Sequence, residues 1–391
     1  MNIRLGILTT HPIQYQVPWF QALAKEPGID LEVLYCMLPD AQQQGSGFGV
    51  QFQWDVPLLE GYRYRVLDNR AALPSVTTFS GCDTPGIRRI VRDERWDAFI
   101  VNGWVARSCL QLLAACRLHG VPCIVRGESN AIRQRAGWKR LIHRVLLRQY
   151  AACLTIGTQN RAFYLANGVP ENRIFSTPYC VQNERFEYPG RQARTEGPFT
   201  FLFSGKLIHK KRPMDALQAM ARLVDEVGRE RVLLLIAGDG ELRAECEAFV
   251  RQNRLPARFL GFLNQSRIVE AYRESDCLLL PSDNGETWGL VVNEAMASGL
   301  PVIVSDQVGC HPDLVVEGVT GCTYPCGSST ALADRMARLC KSPADAFRMG
   351  QAARERVQSG FSYAQVVQGT LQALRQVGAP GAATRPAGFV G

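Results

Sequence analysis

Ten short, almost unbroken apolar runs recur along the 391-residue chain, with longer helix-patterned stretches between them. Five lie in the first half: residues 3–10 (IRLGILTT), 29–36 (IDLEVLYC), 96–103 (WDAFIVNG), 121–127 (VPCIVRG) and 152–157 (ACLTIG). Five lie in the second: 199–205 (FTFLFSG), 231–240 (RVLLLIAGDG), 257–262 (ARFLGF), 275–282 (SDCLLLPS) and 301–306 (PVIVSD). A strand with one face in water alternates apolar and polar residues, whereas a strand covered on both faces does not. Continuous runs separated by helices therefore predict βαβ crossovers and parallel sheets, an α/β fold of the doubly wound kind. A chain of this length exceeds one ordinary core, so two such domains are expected.

The break falls near residues 188–198 (YPGRQARTEGP), a polar stretch rich in Gly, Pro and Arg with no apolar period. The expected organisation is a first domain over 1–190 and a second over 191–361. A last helix over 362–377 is expected to pack back on the first domain, and the Gly/Pro-rich tail 378–391 to be disordered. Two facing sheets of this kind create a cleft, and their ligands bind beyond the carboxyl ends of the strands.

Composition narrows the class. No apolar run is long enough to span a bilayer, and the N-terminus MNIRLGILTTHPIQ lacks the features of a signal peptide. The expectation is a cytoplasmic protein. Thirteen cysteines form no C-x-x-C pair. Cys36, Cys109, Cys123, Cys153 and Cys277 sit in apolar contexts, so buried reduced thiols are expected rather than disulfides or zinc. The five histidines are scattered and offer no ligand cluster. No strand is followed by G-x-G-x-x-G, which disfavours a dinucleotide-dependent dehydrogenase. The net charge of +8 is uneven: residues 129–170 contain no Asp or Glu but carry Arg133, Arg135, Lys139, Arg140, Arg144, Arg148 and Arg161. A local field of one sign suggests an anionic partner.

The stretch 282–306 (SDNGETWGLVVNEAMASGLPVIVSD) carries the most chemistry. Residues 290–297 have helix formers and an apolar face; Gly299 and Pro301 end the helix, and Thr287 is a candidate N-cap. Gly289 removes a side chain where the helix begins, so a backbone amide there can approach a ligand closely. A bare helix start is a site for an anion such as a diphosphate. Glu286 and Glu294 flank that start. A nucleotide sugar has hydroxyls on both sides of its diphosphate, and carboxylates accept strongly from hydroxyls. On spacing alone the alternative stands level: Glu286 is a surface carboxylate favoured by the dipole and Glu294 a solvated helix residue.

Three further blocks accompany this one in order: FSGKLIHKKRPMDALQAM (203–220), LLLIAGDGELR (233–243) and DCLLLPSDNGE (276–286). Together with ETWGLVVNE they resemble the retaining glycosyltransferases of the GT-B architecture, family 4, whose E-x7-E signature reads here from Glu286 to Glu294. The resemblance implies two Rossmann-like domains, the first taking the acceptor and the second the nucleotide sugar. It implies that Glu286 contacts the donor sugar and Glu294 the ribose, and that the amides of Trp288, Gly289 and Leu290 approach the diphosphate. Gly205 and Gly238 belong to the same donor-binding set. Lys206 and Lys211 become the cations facing the leaving diphosphate; within His209-Lys210-Lys211-Arg212 the choice between Lys210 and Lys211 stays open. Fixed cations and a helix terminus stabilise negative charge where it develops, so no metal is required. No convincing Asp-x-Asp motif is present, and no cofactor is expected besides a UDP- or GDP-linked donor substrate.

The first half matches the family less closely, although TTHPIQYQVPWFQALA resembles the first strand and loop of a bacterial subgroup. Family members often place a histidine after the strand that corresponds to PCIVRGES; here Arg126 and Glu128 occupy that loop. Either takes over a sugar contact, or the two form a structural ion pair. His11, Gln14 and Tyr15 follow the first strand and are candidates for acceptor or donor contact; the alternative is that Pro12 starts a helix and His11 only packs. Asn102 is a comparable strand-end candidate. Over 132–150, Trp138, Leu141, Ile142, Val145 and Leu146 follow i, i+3, i+4, i+7, i+8, with Lys139, Arg140, His143, Arg144 and Arg148 mostly on another face. The reading is a stripe packed on the domain core and a basic face that attracts an anionic membrane surface.

The combined expectation is transfer of a hexose-type sugar, with retention, to a hydroxyl of a glycan or lipid-linked acceptor in bacterial polysaccharide or lipopolysaccharide assembly. The expected location is the cytoplasm, with peripheral contact at the inner face of the membrane, and nucleic acid is not among the partners. A nucleotide-sugar epimerase or hydrolase of the same fold and an inactive nucleotide-sugar-binding subunit are the alternatives.

Overall fold

In the computed structural model, which describes residues 2–45, 49–133 and 135–378, the strands pair into two wholly parallel sheets. The first contains β1 (Ile3–Thr9), β2 (Ile29–Tyr35), β3 (Arg63–Val66), β4 (Ala98–Asn102), β5 (Cys123–Arg126), β6 (Ala152–Thr155) and β7 (Ile174–Ser176), in the order β3-β2-β1-β4-β5-β6-β7. The second contains β8 (Phe199–Ser204), β9 (Val232–Ala237), β10 (Ala257–Gly261), β11 (Cys277–Leu280), β12 (Val302–Ser305) and β13 (Gly321–Tyr324), in the order β10-β9-β8-β11-β12-β13. Both are doubly wound Rossmann-like sheets, and each reverses its winding beside its first strand, between β1 and β4 and between β8 and β11.

Each apolar run of the sequence carries a strand because both faces of each sheet are covered. In β8, Phe199, Phe201 and Phe203 enter one core with the helix Pro213–Val227, while Leu202 enters the opposite core with the helix Leu290–Ala297. Burying each such side chain contributes about 1.5–3 kcal/mol relative to exposure. Three strands lie outside the ten runs. All three sit at sheet edges, where pairing is one-sided and selection for apolar residues is weaker. β3 reads RYRV, and Arg65 at this edge pairs with Glu32 and Glu94. β7 and β13 are only three and four residues long.

The connection at 188–198 has no regular structure, but it is pinned to the second domain. Arg191 donates to the carbonyl oxygens of Tyr272 (2.7 Å), Ser275 (2.8 Å) and Ser298 (2.8 Å), and Arg194 pairs with Asp276. After the helix Pro343–Gly360 the chain crosses back. The helix Tyr363–Gln376, opened by a Ser362–Gln365 capping box, puts Val366, Val367, Ala373 and Leu374 into the core beneath the first sheet. Of the tail expected to be disordered, residues 379–391 lie outside those described.

The basic helix spans Gly137–Leu147 and corrects one expectation. Most of its apolar stripe does not pack on the core: Trp138, Leu141, Ile142 and Val145 are 63, 63, 54 and 57% exposed, and Leu146, half-buried, is the member that packs against it. The packed face is a different one. His143 meets Trp104 and Phe163 edge-on at 5.8 and 5.3 Å, and Leu147 and Tyr150 are buried behind it. Positions 143, 147 and 150 share a face with Leu146 beside it, and the other four stripe residues are turned away from it. No described helix is long and apolar enough to cross a membrane. All thirteen cysteines are free thiols; twelve are buried and Cys326 is half-buried.

Candidate active site

A cavity of about 580 Å³ lies at the carboxyl ends of both sheets, lined by loops that follow β1, β2, β5, β7, β8, β9, β10 and β11. On the second-domain side, two turns interlock. Gly205 N donates to the Ala237 carbonyl oxygen and Leu207 N to that of Asp239, each at 2.9 Å. A Cβ at Gly238 would lie 1.9 Å from the Gly205 carbonyl oxygen, so only glycine lets the turns meet. The turn after Gly205 brings Lys206, Lys210 and Lys211 to the cavity. It is held by Arg212, whose left-handed φ of 51° precedes Pro213 and whose guanidinium donates to Asp215 at 2.7 and 3.1 Å.

Lys211 settles against Glu286 as an ion pair; the two side chains are 13% and 12% exposed. Burial pushes the Glu286 carboxyl up, but the Lys211 ammonium, helped by that of Lys210, outweighs it and holds the group below its ordinary value. Glu286 is therefore an acceptor only. Burial and the neighbouring Lys210 and Lys211 charges lower the Lys206 ammonium.

The helix Leu290–Ala297 starts at the same wall. Its N-cap is Gly289, at φ +102°, and no side chain caps it. Thr287, expected as the cap, does not act as one, because the left-handed glycine puts the helix start two residues beyond it. A Cβ at Gly289 would stand 2.8 Å from the Leu280 side chain. The free amides and positive dipole of this end face the lysine-lined wall. One turn on, Glu294 accepts from the Tyr272 hydroxyl at 2.6 Å, and burial raises its carboxyl to about 7. Trp288 lines the cavity too, but its indole is structural: Nε1 donates to Asn293 Oδ1 (2.8 Å), and the ring meets Tyr179 of the first domain edge-on at 5.9 Å.

On the first-domain side stand Gln14, Tyr15, Glu128 and Tyr179. Tyr179 donates its hydroxyl to Glu128 and meets Tyr15 edge-on at 5.5 Å. Burial raises both phenols far above their ordinary range. Of the positions singled out from sequence, the structure brings Gly205, Lys206, Lys211, Gly238, Glu286, Trp288, Gly289, Leu290 and Glu294 to this cavity, with Gln14, Tyr15 and Glu128 opposite.

Three candidates stand back from it. His11 bonds Thr10 Oγ1 at 2.9 Å, and burial lowers its imidazole to about 4, so it is neutral at pH 7. Pro12 starts no helix; the first one begins at Val17. Asn102 donates to Gln16 Oε1 at 2.9 Å. Arg126 is buried between Trp19 (5.1 Å) and Tyr179 (4.5 Å), so the ion pair with Glu128 gives way to cation–π contacts. The sequence reading missed Trp54, Tyr179, Arg185 and Phe262, all of which line the cavity. Phe262 directly follows β10 and Tyr179 lies three residues beyond β7, a usable signal; Trp54 lies in a loop with no period.

The two domains touch around the cavity. Asp313 of the second accepts from Thr158 N (3.0 Å) and Thr158 Oγ1 (2.7 Å), at the first turn of the helix Thr158–Ala166. Asn293 Nδ2 donates to the Tyr179 carbonyl oxygen at 3.2 Å.

Comparison with known proteins places this architecture. The family "Glycosyl transferases group 1" matches residues 184–356, and "Glycosyl transferase 4-like domain" matches residues 17–180. The 2-deoxystreptamine glucosyltransferase of Streptomyces kanamyceticus is 31% identical over 287 residues, 67% of this chain and 73% of that protein. A glycosyltransferase from Rickettsia africae superposes with a TM-score of 0.73 at 14% identity, covering 96% of this chain and 98% of its own. Anabaena Alr3699/HepE, solved in complex with UDP-glucose, gives 0.70 at 14%, covering 96% and 100%. Two facing Rossmann-like sheets, the matched motifs and these relatives together establish that the chain belongs to the group 1, family 4-type glycosyltransferases of the GT-B fold.

Proposed function

We propose that this glycosyltransferase moves a hexose-type sugar from a UDP- or GDP-linked donor to a hydroxyl of a glycan or lipid-linked acceptor, with retention at the anomeric carbon. One observation carries the reading: three lysines and an uncapped helix start converge on one wall, with Glu286 and Glu294 to either side. The UDP-glucose bound by the Anabaena protein supports a donor of this class.

The lysines and helix amides hold the diphosphate and stabilise the charge that builds on it as the C1–O bond to phosphate breaks. Glu286, kept ionised by Lys211, accepts from sugar hydroxyls and in turn fixes Lys211. Glu294 accepts from the ribose. The acceptor oxygen forms the new bond to C1 on the face the phosphate leaves, and its proton passes to the departing phosphate oxygen. Contact between the domains excludes water and limits hydrolysis of the donor.

The exposed stripe Trp138, Leu141, Ile142 and Val145, flanked by Arg140, Arg144 and Arg148, supports peripheral attachment to an anionic membrane surface. That would bring the site to lipid-linked acceptors at the cytoplasmic face and suits bacterial polysaccharide or lipopolysaccharide assembly. A thermal-shift panel of UDP- and GDP-sugars tests the core of the reading, since a bound donor stabilises the folded chain. One base should raise Tm with sugar and as free diphosphate. A panel with no shift, and no nucleoside diphosphate released on adding acceptor glycans, would refute it.

A further inference from the structure

The loop between β2 and β3 belongs to the first domain by its root and to the second by its tip. At the root, Phe52 N donates to the Ala41 carbonyl oxygen and Trp54 N to Gln44 Oε1, each at 3.2 Å. At the tip, Asn264 Nδ2 donates to the Gln53 carbonyl oxygen at 2.7 Å. Ser266 donates to the Asp55 carboxylate from its amide (3.1 Å) and from its hydroxyl. Phe52 lies on Phe262 with ring centroids 4.1 Å apart, and Trp54 stands at 6.4 Å and 60° to the same ring. Trp54 is half-buried, and Trp54 and Phe262 both line the cavity.

A line of cavity residues leads from Glu294 to this place. The Arg185 charge acts on Glu294, and Arg185 Nη1 donates to Gln265 Oε1 at 3.1 Å. Gln265, Leu263 and Phe262 continue the wall to Trp54. The lysines and the helix start crowd the other end. Charge thus gathers where a diphosphate belongs, and flat rings with an amide gather beyond the ribose carboxylate. Aromatic faces are what a nucleobase stacks on.

We infer that Trp54 is a donor-binding residue supplied by the first domain: its indole covers the nucleobase beside Phe262, and Asp55 clasps it there. The inference rests on reading the cavity as a nucleotide-sugar site. It makes the base a bridge between the domains, so that nucleotide binding and domain closure become one event.

Calorimetric titration of the full chain with UDP, GDP and inorganic pyrophosphate tests it. Trp54→Ala should weaken the preferred nucleoside diphosphate about 10- to 100-fold, Trp54→Phe should recover most of the loss, and pyrophosphate affinity should not change. Asp55→Ala, which leaves the indole but frees the clasp, should fall between. A Trp54→Ala protein that binds the nucleoside diphosphate like the native chain overturns the inference, as does a parallel loss for pyrophosphate. Should Trp54→Ala not fold, unchanged nucleotide affinity in Asp55→Ala overturns it. Native protein that binds neither UDP nor GDP removes the nucleotide reading itself, a result distinct from the others.

Discussion

The two walls of the cavity are made in opposite ways. The second-domain wall is backbone and charge: interlocked glycine turns, a bare helix start, and lysines paired or crowded against buried carboxylates. The first-domain wall is side chain and ring: Tyr15 against Tyr179, Tyr179 on Glu128, Arg126 stacked behind. A diphosphate demands amides and cations at fixed positions, and few geometries supply them. An acceptor hydroxyl demands only a shaped surface and an acceptor atom. The contrast predicts that changes on the two walls separate in size and in kind.

The largest effect should come from Lys211→Ala. On the proposed mechanism it removes a cation from the leaving diphosphate, and it leaves Glu286 buried without its ion-pair partner. Turnover should fall about 10²- to 10³-fold, the scale of losing one preorganised charge-stabilising donor. If kcat holds and only donor KM rises, Lys211 serves ground-state binding alone and the contrast between the walls weakens.

Glu294→Gln should act next, on affinity. Losing a carboxylate that accepts from a hydroxyl should weaken the nucleoside diphosphate about 10- to 100-fold at pH 8. Because the Glu294 carboxyl is raised to about 7, native affinity should climb as pH rises through that value and level off above it. The Gln variant should lack that component, which separates it from the phosphate's own titration. Stability carries the opposite sign. The folded protein holds this proton longer than the unfolded chain, so the contribution is full below about 4.5 and is lost as pH rises through about 7. Melting curves of the Gln variant should be flatter across that window.

Glu128→Gln should be milder, with acceptor kcat/KM reduced about 3- to 10-fold and donor affinity unchanged, as expected for one hydrogen-bonding group. A donor defect of equal size would mean that Glu128 faces the sugar of the donor. Neutralising Arg140, Arg144 and Arg148 together should leave turnover on a soluble acceptor unaltered. It should lower cosedimentation with anionic vesicles at low salt, and unaltered cosedimentation would remove the membrane role.

The same contrast explains what could be read from the sequence. Gly205, Lys206 and the stretch from Glu286 to Glu294 were legible because a close backbone approach limits the residue types at each position. The sheets were legible because both faces are buried; β3, β7 and β13 were not, because an edge strand tolerates Arg, Ser and Thr. His11, Asn102 and Arg126 sit at strand ends that point toward the cleft, yet their side chains turn into neighbouring contacts, a direction that position along a strand does not specify. The 137–147 helix shows the same gap: periodicity found the stripe but not which face would meet the core. Trp54 was invisible because the second-domain ring it meets at the cavity, Phe262, lies more than 200 positions away in the chain.

Asp313 caps a helix that belongs to the other domain. Whenever the cleft gapes, the amide of Thr158 loses its acceptor and meets solvent, at a cost of about 0.5–2 kcal/mol for a lost cap. The enzyme thus carries its own gauge of breathing: deuterium uptake at that single peptide group counts the openings, and a substrate that latches the halves together should slow the clock.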